Sequence, residues 1–170
     1  AIRDDFSTSL KLLPKSEIAR LMDVFFEDSF SCSFTVNSIG EVWIGFLSKQ
    51  KDLPRWFLDV SDFEWKLCLV NYTSRGDDRR AWKKIEFQGV AGMILELDPG
   101  IQLLEYDSPA HRIYDEEKFA QARKTNLALW SMDGFAHYLE LDSTSFYFLR
   151  LLLEKEDWNA IEMAWINRFS

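Results

Sequence analysis

Apolar residues return at helical spacing early in the chain. Ile18, Leu21, Met22 and Phe25 stand at i, i+3, i+4 and i+7, with Glu17, Arg20, Asp23 and Glu27 largely off that stripe. Ser16, just after Leu13-Pro14, is a fitting N-cap, so the spacing predicts a helix from about Ser16 to Asp28. The period then changes. From Ser29 to Val36 every second residue is apolar and the rest carry hydroxyls, which is the pattern of a half-buried strand. Asn37-Ser38-Ile39-Gly40 supplies turn chemistry, and Glu41 to Leu47 reads as the return strand of a hairpin. Lys49 to Leu58 reads as a connection punctuated by Pro54 and anchored by Trp56 and Phe57. Phe63 to Tyr72 reads as a further strand, with Phe63, Trp65, Leu67 and Leu69 on one face.

The polar run Thr73 to Arg80 reads as an exposed hairpin loop. Trp82 to Gln88 and Val90 to Leu97 are strand-like, with Gly89 and Gly92 marking a bulge or close backbone approach. Asp98-Pro99-Gly100 turns the chain into a short strand from Ile101 to Tyr106. Ser108 to Tyr114 reads as a loop. Asp115 caps a predicted helix that runs to about Trp130, with Glu116 and Glu117 against its positive end. Met132-Asp133-Gly134 turns into a strand from Phe135 to Leu141 that places Phe135, His137, Leu139 and Leu141 on one face. A last helical region spans Ser143 to Phe169, with a break near Asp157. Runs of strands set between helices predict an α+β fold: a single domain over residues 1–170, mainly antiparallel sheet flanked by N-terminal, middle and C-terminal helices. Continuous patterning without a linker predicts one cooperative folding unit.

Composition narrows the class of function. The chain has 170 residues, 47% of them hydrophobic, with 7 Trp and 14 Phe, which is ample for a core. Seven Gly and four Pro exclude a fibrous or disordered chain. The net charge is −8. Residues 96–170 carry 14 acidic and 7 basic side chains, so nearly all of the excess lies there. Such a chain is a poor ligand for duplex nucleic acid, whose phosphates call for clustered Lys and Arg. Arg75, Arg79, Arg80, Lys83 and Lys84 around Trp82 form its one basic cluster, read as a hairpin tip whose charges pair locally. No apolar run approaches a membrane span: Phe146 to Leu153, the longest, is broken by Arg150. Cys32 and Cys68 lie in apolar or alternating runs and read as reduced, structural thiols of a cytoplasmic protein.

Signatures of catalysis are missing. Cys32, Cys68, His111 and His137 each stand alone, without the ligand spacing of a zinc site. The seven glycines form no nucleotide-binding motif, and no nucleophile elbow is present, so neither a cofactor nor a metal is expected. His111 with Asp107 or Asp115 is the one pairing that a small hydrolase would use. His137, on an apolar strand face, reads as a core histidine. Arg75-Gly76-Asp77 and the glycosylation-type triplet Asn71-Tyr72-Thr73 read as local structure.

In size, acidity and α+β pattern the chain resembles the bacterial immunity proteins that block nuclease toxins. Its element order and its isoelectric point near 4.8 are loosely similar to those of the small acidic chaperones of type III secretion. Either resemblance implies a non-enzymatic domain that neutralises or escorts a basic protein, a toxin or a secreted effector. Two acidic clusters lie outside the apolar stripes and are the expected contact residues: Asp115, Glu116 and Glu117 at a helix start, and Glu154, Glu156 and Asp157 at a helix junction.

Overall fold

The computed structural model of the chain describes residues 2–29, 38–73, 83–86, 94–98, 100–113, 122–155 and 157–169. Among them are six α-helices: α1 Ile2–Asp5, α2 Lys15–Ser29, α3 Ile39–Leu47, α4 Arg55–Thr73, α5 Ser143–Glu154 and α6 Trp158–Phe169. The strands are β1 Lys83–Glu86, β2 Ile94–Leu97, β3 Gln102–Tyr106, β4 Thr125–Met132 and β5 Phe135–Leu141. β1 and β2 form one antiparallel ladder, and the other antiparallel sheet has the order β3-β4-β5. The class is α+β. The chain divides into two compact units, residues 1–69 with 106–125 and residues 70–105 with 126–170.

Helices build the first unit. α2 starts one residue after Pro14, whose carbonyl accepts from the N–H groups of Glu17 and Ile18. Its apolar stripe supplies Leu21, Met22 and Phe25 to a core completed by Phe6, Trp43, Phe46, Leu47, Phe57 and Trp65. The rings meet edge to face or stacked: Phe25 on Trp43 at 5.0 Å, Trp43 on Phe46 at 5.4 Å and Phe6 on Trp65 at 6.0 Å between centroids. A buried carboxylate closes one backbone end. Glu64 accepts from Thr8 N–H at 2.7 Å and Ser9 N–H at 2.8 Å, where the 3₁₀ turn Ser9–Leu12 begins.

Two segments that alternate like strands are helical. Glu41 to Leu47 belongs to α3, where Ile39, Val42, Trp43, Phe46 and Leu47 follow i, i+3, i+4, i+7 and i+8. Phe63 to Tyr72 belongs to α4, and Lys49 to Leu58 connects only as far as Arg55, where that helix starts. The middle of α4 buries Asp59, Val60, Ser61, Phe63, Glu64 and Trp65, which together face nearly every direction around the helix. A helix covered on most sides has no polar stripe to announce its period. Of the hairpin read over Ser29 to Leu47, the first strand lies outside the described residues except for Ser29, the last residue of α2. Cys32 lies there too. Cys68 is a free thiol on α4, donating to the Asp5 carbonyl at 3.6 Å; burial pushes it up to about 11, so it stays protonated and inert.

The second unit holds the sheets and the last two helices. Ile85, Leu97, Leu151, Leu152 and Ile161 make its buried cluster, with Phe148, Trp158 and Trp165 packed against it. Lys83 Nζ donates to the Leu153 carbonyl at 2.6 Å, and Lys84 pairs with Glu96 at 3.0 Å. Lys84 thus pairs across its own ladder, whereas Lys83 reaches a backbone carbonyl of α5 rather than a local acid. Asn71, the first residue of the glycosylation-type triplet, sits in the last turn of α4 and accepts from Ala136 N–H at 2.8 Å. The helical region after Ser143 does break where expected, between Glu154 and Trp158. The helix read from Asp115 to Trp130 is corrected over its second half, because Thr125 to Met132 is strand β4. Thr125, Leu127 and Leu129 share one buried face of the strand, and small Ala128 on the other face is buried as well. Among the described residues no helix is long and apolar enough to cross a membrane.

Candidate interaction surface

The expected acidic contacts are only partly within the described residues. Asp115, Glu116, Glu117 and Glu156 lie outside them. Glu154 is exposed at the end of α5. Asp157 is exposed as well, but its carboxylate is occupied: Oδ1 accepts from Ala160 N–H at 2.9 Å, which caps α6.

Of the hydrolase pairing, Asp115 lies outside the described residues. His111 lies in the 3₁₀ turn Ala110–Arg112, where Nε2 accepts from Arg112 Nε at 3.4 Å. The Asp107 carboxylate pairs with Arg55 at 3.3 Å. Around it is a closed polar network. Asp59, only 2% exposed, accepts from Ser108 Oγ at 2.8 Å and from Asp107 N–H at 3.1 Å, and pairs with Arg55 at 3.2 Å. Tyr106 donates its hydroxyl to Asp62 at 2.8 Å. Burial raises the Asp59 carboxyl above its ordinary range, against the opposing pull of the Ser108 hydrogen bond and the Arg55 charge. Burial, with Asp62 beside it, raises the Tyr106 phenol too. Ser108 and Asp59 are both buried and bonded to each other, so this arrangement pins the 106–108 segment to α4. Among the described residues no three His, Cys, Asp or Glu side chains gather as a ligand set for a metal.

A different kind of site lies on the β4–β5 hairpin. The register sets Met132 opposite Phe135, Trp130 opposite His137, Ala128 opposite Leu139 and Asn126 opposite Leu141. Cross-strand partners share a face, so these eight residues form one side of the ladder. The other side carries Leu127 and Leu129, both fully buried. On the first side Phe135 is 69% exposed, Leu139 55% and Met132 51%, while Ala128 is buried; on the other side Tyr138, opposite Leu129, is exposed. Trp130 and His137, on the first side, stack with ring centroids 5.9 Å apart. Asp133 and Gly134 close the hairpin with positive φ values of 54° and 80°, the two-residue turn that matches strand twist. The shared face of Phe135, His137, Leu139 and Leu141 is as expected, but it is not core: His137 lies against Trp130 on a half-open surface.

The stretch that carries the hairpin is acidic, bounded by Arg123 and Lys124 on one side and Arg150 on the other. From Thr125 to Leu149 the chain has no Lys or Arg, while Asp133, Glu140 and Asp142 are all acidic. Asp142 caps α5, accepting from Thr144 N–H at 2.8 Å and Ser145 N–H at 2.9 Å; the Ser145 hydroxyl on its second oxygen is the largest influence holding its carboxyl below the usual range. α6 presents a second exposed apolar group, Met163, Ile166 and Phe169. Exposed apolar side chains in such groups mark interaction sites on soluble domains. Sequence alternation marks the hairpin face but carries no signal for which of the two faces is covered. No protein-family model and no curated protein matches this chain.

Proposed function

We propose that the chain is a non-enzymatic, acidic binding domain that neutralises or escorts a basic protein in the cytoplasm. In type this is most similar to an immunity protein that blocks a nuclease toxin. The observation that carries the reading is the open Trp130–Met132–Phe135–Leu139 face within a stretch that lacks any basic side chain. Aromatic and Met anchors fringed by charge are what a specific interface uses.

The test is capture of the partner from the native host, followed by reconstitution from purified proteins. A stoichiometric complex with a partner of net positive charge is expected, with association slowing as salt rises. Loss of the partner's nuclease activity in the complex supports inhibition, and retained activity supports escort. Charge reversal of Glu154 and Asp157, or of Asp115, Glu116 and Glu117, is expected to weaken binding by about tenfold, or ~1.4 kcal/mol, if those clusters steer the encounter. Turnover of a small substrate by the purified chain, lost on changing His111, overturns the reading.

A further inference from the structure

We draw no further inference here: the strongest candidate, the surface patch of exposed Met132, Phe135 and Leu139 around the Trp130–His137 stack on the β4–β5 hairpin, is an apolar surface for which nothing in the structure shows what covers it.

Discussion

At Gly40 a single hydrogen decides the packing of the first unit. A Cβ built there would lie 2.3 Å from the Trp65 ring, which is itself buried and stacked on Phe6. Gly40→Ala is therefore expected to lower stability by about 1–3 kcal/mol, measured by urea denaturation, with a changed near-ultraviolet dichroism as the ring is displaced. Asp59 makes a different residue-scale prediction. Its folded-state affinity for a proton is raised, chiefly by burial. A raised value means that its linked stability is fully present below the ordinary carboxylate range and is lost as pH rises through the raised value. The stability of wild type relative to Asp59→Asn should thus be greatest in acid and shrink as pH rises through that window. A difference that grows with pH instead would show that Arg55 and the hydrogen bonds, not burial, dominate the site.

Among the elements, the β4–β5 hairpin depends most on one local conformation. Asp133 and Gly134 both have positive φ, and only glycine adopts this at no steric cost. Gly134→Val is expected to destabilise by about 1–2 kcal/mol, and the loss should be accompanied by weaker binding at the face that the turn organises. Asp133-Gly134 is a turn signal that leads into β5, whereas the acidic run from Asp115 favours a helix over residues that in fact form β4. α3 is the reverse case. Its Ile39, Val42, Trp43, Phe46 and Leu47 spacing is helical on inspection, yet two glycines and several β-branched residues favour extended chain locally. Tertiary burial of Trp43, Phe46 and Leu47 prevails over that preference.

For the whole molecule, apolar patterning runs through the sequence without a linker, so calorimetry at neutral pH should give one transition with equal calorimetric and van't Hoff enthalpies. Two resolved transitions would show that the units are stable independently of each other. With 14 acidic and 7 basic residues after Leu95, association with the proposed basic partner is expected to be faster at low salt than at high, as measured by stopped flow.

The sequence alone was enough for what depends on short-range chemistry. The α2 stripe, the Asp133-Gly134 turn, the break before Trp158 and the α+β class all follow from spacing, capping and turn residues that act within a few positions of one another. The acidity of the C-terminal part is likewise a property of the chain itself. Tertiary structure decided the rest, because burial is set by residues far away in sequence. α4 is buried on most sides, which erases the stripe that would reveal a helix. The Asp107 carboxylate pairs with Arg55 and its backbone N–H with Asp59, partners more than 45 positions earlier that no local pattern announces. Above all, alternation along β5 separates its two faces but is symmetrical with respect to solvent. Only packing elsewhere in the molecule makes Leu127, Ala128 and Leu129 of β4 core while leaving Phe135, Tyr138 and Leu139 of β5 exposed.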